Sequence, residues 1–116
     1  MRIESFTPFS EQVSRLGEHE WAVARLAKLS ENFPVMDIPL NHLYVWAKYE
    51  TLSLRELAGH VKAVMDADLS FPIILDEDND IMDGRHRIMK AIIEGKETIK
   101  AVRFEKNPSP CRIIED

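Results

Sequence analysis

The chain has one cysteine, four glycines, two tryptophans and no long uninterrupted apolar run. A single cysteine, Cys111, excludes an internal disulfide. Without about 18 consecutive apolar residues, no membrane-spanning helix is expected. The N-terminus lacks the apolar stretch of a signal peptide, so the expected compartment is the cytoplasm. The formal net charge of −5 removes any general electrostatic pull toward nucleic acid, which is usually bound through several Lys or Arg contacts to phosphates. Internal repeats, low-complexity tracts and long linkers are also absent. What remains is an ordinary globular composition, 116 residues with 45% hydrophobic content, enough for one core of normal size but not two.

The residues that break an elementary charge rule are Asp83-Gly84-Arg85-His86-Arg87. Ile88, Ala91 and Ile92 fall at i, i+3 and i+4, and Gly95 follows as a stop, so the run forms the first turn of a helix. Helix N-termini carry partial positive charge from unpaired N–H groups, and cations there cost about 0.3–1 kcal/mol each unless an anion arrives. Exposed N–H groups, a glycine that admits a ligand to the backbone, and two guanidinium forks describe a phosphate or carboxylate cradle. Around it, Phe71 to Leu75 reads as a strand, Asp76 to Asp80 as a polar turn, Ile81-Met82 as the returning strand, and Thr98 to Phe104 as a later strand with imperfect alternation.

Asp76 to Phe104, with the Asp-Gly-Arg-His-Arg core, resembles the phosphate-binding signature of the ParB/sulfiredoxin superfamily. Ile38-Pro39-Leu40 resembles that fold's opening strand, the helix beginning near Leu54 its next element, and Phe71 to Leu75 the strand before the signature. The resemblance implies a small α/β (α+β) domain over residues 37–106, a mixed sheet packed with helices. It is preceded by an N-terminal helical segment over 1–36 and followed by a tail over 107–116. It also implies ATP or CTP as ligand, with Gly84 and Arg87 at matching motif positions. Sulfiredoxins place a catalytic cysteine where this chain has Arg85, which argues against sulfinic-acid repair. Chromosome-partition ParB proteins carry an acidic residue after the glycine and an arginine where His86 stands. They also need a downstream helix-turn-helix domain, for which Glu105 to Asp116 is too short. The Asp-Gly-x-His-Arg form is closer to the small nucleotide-using branch that includes free-serine kinases.

The expected binding residues are therefore Asp83, Gly84, Arg85, His86 and Arg87, with a nucleotide or another small anion as partner. Asp83 has three readings: helix cap, orienter of an arginine, or metal contact. His86 suits acid–base work or charge-assisted phosphate binding, the second being favoured. Asp76, Glu77, Asp78, Asp80 and Asp83 offer oxygen ligands for magnesium beside a bound triphosphate, although all but Asp83 read first as a turn. Arg85, Arg87, Lys90 and Lys100 form the best basic patch. NTP hydrolysis or phosphoryl transfer is compatible with such a cradle, but no catalytic base is identified. The competing class is a non-enzymatic module that recognises a protein or, less readily, nucleic acid. A third makes both arginines structural, paired with carboxylates.

Elsewhere the expectations are architectural. Thr7-Pro8 is read as a helix start, Gly17 as a break, and Ala22, Val23, Leu26 and Leu29 as an apolar stripe. Ser53 and Glu56 have capping-box spacing, and Leu54, Leu57, Ala58, Val61, Val64 and Met65 trace the expected buried face of the middle helix. His19, His42 and His60 read as surface or helix-edge residues with no metal-ligand spacing. Tyr44, Trp46 and Tyr49 read as packing area. Cys111 reads as a bystander thiol whose one activating neighbour is Arg112.

Overall fold

The computed structural model describes residues 12–43 and 51–114. Among them are three α-helices and two sheets, a mixed α+β arrangement. The expectations for Thr7-Pro8 and for Tyr44, Trp46 and Tyr49 lie outside the described residues.

The N-terminal helical expectation holds only from Val23. Residues before it form a hairpin, β1 (Val13–Leu16) and β2 (His19–Ala22), with Leu16 paired to His19 across a two-residue turn. That turn needs positive φ, and Gly17 supplies +59°, the conformation that matches a short turn to strand twist. The hairpin depends on distant residues, which is why its own sequence pattern points elsewhere. Trp21 is 1% exposed, and its indole N–H donates to the Pro108 carbonyl at 2.9 Å. The expected tail contributes a third strand, β7 (Arg112–Ile113), antiparallel to β2. Helix α1 (Val23–Ser30) then buries Val23, Leu26 and Ser30, while Leu29 is exposed. The inward line thus ends on a serine, made acceptable by its hydroxyl donating to the Leu26 carbonyl at 2.8 Å.

The second sheet has the order β3-β6-β4-β5. Its strands are β3 (Met36–Pro39), β4 (Ile73–Leu75), β5 (Ile81–Asp83) and β6 (Thr98–Arg103). β4 and β6 run parallel, and the other two pairings are antiparallel. Side chains alternate between faces. Ile73, Leu75, Ile81, Ile99 and Ala101 join Ile88 and Ala91 in one core. Ile74, Met82, Val102 and Phe104 join Trp21 and Leu26 in another. The sheet is therefore covered on both sides, and the hairpin with α1 is part of the same packed unit as the expected domain. It also explains the irregular pattern of β6. Its beginning is buried on one face, while its end, Ala101-Val102, is buried on both.

Helix α2 (Leu54–Asp66) starts with the expected capping box. Ser53 Oγ accepts from Glu56 N at 3.1 Å, and Ser53 N donates back to the Glu56 carboxylate at 3.3 Å. Ser53→Ala is expected to cost about 1 kcal/mol in chemical denaturation, the usual value of such a cap. The expected apolar face is not the buried one. Leu54 is 87% exposed and Met65 71%, and of the six stripe residues only Val64 is buried. Polar ties orient α2 instead. His60 bonds to α3 (Arg85–Ile93), and Lys90 donates to the Met65 and Ala67 carbonyls at 3.1 and 2.6 Å. Those last carbonyls have no partner within a helix, so a cation there satisfies them twice, as donor and as charge. Helix α3 ends as expected at Gly95, with Lys96 N bonded to the Ala91 carbonyl.

Candidate functional site

Asp83 closes β5 at the edge of the sheet, Gly84 is the N-cap residue, and Arg85, His86 and Arg87 form the first turn of α3. No side chain caps this end. The first intrahelical bond runs from Ile88 N to the Gly84 carbonyl, so the amides of Arg85, His86 and Arg87 are the donors a helix start leaves free.

The five motif residues divide into two jobs. Gly84 serves the fold, because at φ +117° an added Cβ would meet the Ile73 side chain and lie 2.7 Å from its Cβ. The glycine thus makes room for a residue of a buried strand. Arg87 is likewise engaged internally. One guanidinium nitrogen donates to Asp83 Oδ2 at 2.6 Å, and the other to the carbonyls of Pro72 at 2.8 Å and Phe71 at 3.2 Å. Both charged groups are mostly covered, at 17% and 23% side-chain exposure. Of the three readings of Asp83, the orienter of an arginine is the one realised. Arg87 fastens the start of α3 to the entry of β4, and part of the charge misfit at the helix start is met by a carboxylate.

Arg85 is left exposed. His86 is half-buried and meets a residue that motif spacing could not reveal: His60 Nδ1 lies 2.8 Å from His86 Nε2. A hydrogen bond between two imidazoles needs one ring nitrogen as donor and the other as acceptor. Burial of the ring, reinforced by His60 and Arg87 and opposed by Asp83, holds the His86 pKa below the ordinary histidine value. The folded state therefore binds fewer protons there than the unfolded chain. This contribution to stability is present above the unfolded value of about 6.5 and is lost as pH falls toward the depressed folded value.

Arg85, His86, Arg87 and His60 border a groove of about 1260 Å³ that continues to the hairpin and α1. The wider basic patch does not assemble there. Lys90 holds the end of α2, and Lys100 faces Asp37 in the β3–β6 register. The acidic run is a turn: Asp76 Oδ1 accepts from the amides of Asp78 and Asp80, both at 2.8 Å, and Asn79 takes φ +67°. Among the described residues no three His, Cys, Asp or Glu side chains converge as metal ligands. His19 and His42 are exposed, as expected. Cys111 is exposed, and its neighbours are Ala22 N and the Arg25 guanidinium, each at 3.5 Å, with Arg25 in the place expected for Arg112. Bonds from both hold the thiol below its ordinary pKa.

No described helix is long and apolar enough to cross a membrane. Comparison of the chain with protein-family models, curated proteins and solved structures found no match.

Proposed function

We propose that this chain is a ParB/sulfiredoxin-like domain that binds the phosphates of a nucleotide, ATP or CTP, at the first turn of α3. The observation that carries the reading is the His60–His86 pair at 2.8 Å, set on an open groove beside free helix amides and the exposed Arg85. Arg85 supplies a bidentate fork, the amides supply donors, and His86 accepts a proton when an anion settles against it. Asp83, Gly84 and Arg87 hold that corner in shape. Supporting the family reading is the order strand, helix, strand, strand, motif, helix, strand from β3 to β6. If magnesium takes part, it arrives with the triphosphate. Turnover by hydrolysis or phosphoryl transfer would draw on positioning and charge stabilisation by Arg85 and the helix amides.

Two measurements test this. Calorimetric titration with ATP and CTP, with and without magnesium, should show binding that Arg85→Glu weakens at least tenfold, the order of one charge-assisted contact, without lowering the unfolding temperature. Absence of binding to either nucleotide contradicts the proposal. Affinity should also rise between pH 8 and pH 6. A bound anion raises the His86 pKa, so binding takes up a proton in the window between the depressed free-state value and the higher bound-state value. A flat profile would remove His86 from the site.

A second reading, a protein-interaction module, is favoured by one observation, the exposed Leu54, Leu57, Val61 and Met65 along α2. It predicts partner binding that is indifferent to Arg85→Glu.

A further inference from the structure

Phe71 is a large aromatic residue left 63% exposed. Phe33 and Phe104, by contrast, pack edge to face with ring centroids 5.0 Å apart against the second core. Exposure of a single apolar residue is common, but the placement of this one is specific. Its amide donates to the Asp68 carbonyl at 3.2 Å. Its own carbonyl accepts from Arg87, as does that of Pro72. The residue that fastens α3 thus also fixes the backbone from which this ring projects. Phe71 borders the same groove as Arg85 and His86. Other borders of that groove carry Val13 and Val35, 58% and 56% exposed. A bare phosphate chain would leave these apolar surfaces wet, whereas a ligand with an anionic head and a flat apolar body covers both kinds of wall.

We infer that Phe71 is the platform on which the nucleotide base stacks, an inference that rests on the phosphate-binding reading of α3. An aromatic ring held by fixed backbone offers its face at little ordering cost, and every base has a face that stacks. Glu31, Asp66 and Asp68 also border the groove, and their carboxylates disfavour an acidic peptide or a nucleic-acid strand carrying many phosphates. A mononucleotide, with its charge gathered at one end, fits this distribution.

The test compares ATP and CTP with inorganic tripolyphosphate on the full chain. The wild type should bind the nucleotides more tightly than tripolyphosphate. Phe71→Ala should weaken nucleotide binding about tenfold, the order of one lost base stack, while leaving tripolyphosphate affinity unchanged. Phe71→Trp should restore nucleotide affinity, with an indole emission that responds to ATP. Equal wild-type affinity for tripolyphosphate and nucleotides overturns the platform and leaves the phosphate site standing. Equal losses of both ligands in Phe71→Ala overturn it too, by making the residue a support of the fold. Failure of the wild type to bind either class overturns the phosphate reading and the platform with it.

Discussion

Gly84→Ala is expected to destabilise the fold by about 3–5 kcal/mol, the upper range for single substitutions. Two independent costs combine. An L side chain at φ +117° is strained, and the new methyl meets Ile73, which is fully buried, with its Cβ at 2.7 Å and its Cα at 3.2 Å. The obstacle includes backbone and the first side-chain carbon, so no rotamer change clears it. Overpacking of this kind forces main-chain shifts in β4 or the start of α3. A domain of this size has about 5–15 kcal/mol of stability in total, so a large part is at stake. Urea denaturation followed by circular dichroism provides the measurement. A loss under 1 kcal/mol would mean that Ile73 does not press on the motif.

Arg87→Ala is expected to cost about 2–4 kcal/mol, as for removal of one member of a largely covered, hydrogen-bonded ion pair. The substitution leaves the Asp83 carboxylate and the Phe71 and Pro72 carbonyls without their common donor. Asp83→Asn should cost less, because an amide oxygen still accepts from the guanidinium. The double variant should cost less than the sum of the two singles, as coupled neighbours do. This pattern separates the two motif arginines. Arg87→Ala lowers stability and weakens ligand binding through the fold, whereas Arg85→Glu weakens binding alone. Additive losses in the double variant would show that the 2.6 Å contact contributes nothing.

How much of this was legible in the sequence depends on the range of the interaction. Elements determined by local chemistry could be read. The Ser53–Glu56 capping box, the Asp76 turn, and α3 with its stop at Gly95 all arise from residues a few positions apart. The hairpin could not be read in the same way. Its Trp21 is held by Pro108, and its outer partner is β7, neither visible in a window around Gly17. The buried face of α2 was hidden for a different reason. Periodicity finds the apolar stripe, but His60 and Lys90 turn another side of the helix toward α3.

The motif was likewise found by its charge, while the division of labour within it needed geometry. Within Asp-Gly-Arg-His-Arg, only the i,i+4 spacing of Asp83 and Arg87 hints at which arginine fastens and which is left open. Nothing in the spacing links His86 to a histidine 26 positions earlier. A polar residue on the inner side of α2 is the signal that could have pointed to it, once the helix orientation was known. Ile73 explains Gly84 only after the strand and the helix start are seen to touch.

The most direct test of the phosphate corner is an amide-resolved NMR titration with ATP. The account predicts progressive shifts of the Arg85, His86 and Arg87 backbone N–H signals, accompanied by movement of the His60 and His86 ring resonances. Those four residues staying still while ATP is added to saturating millimolar concentration would contradict it.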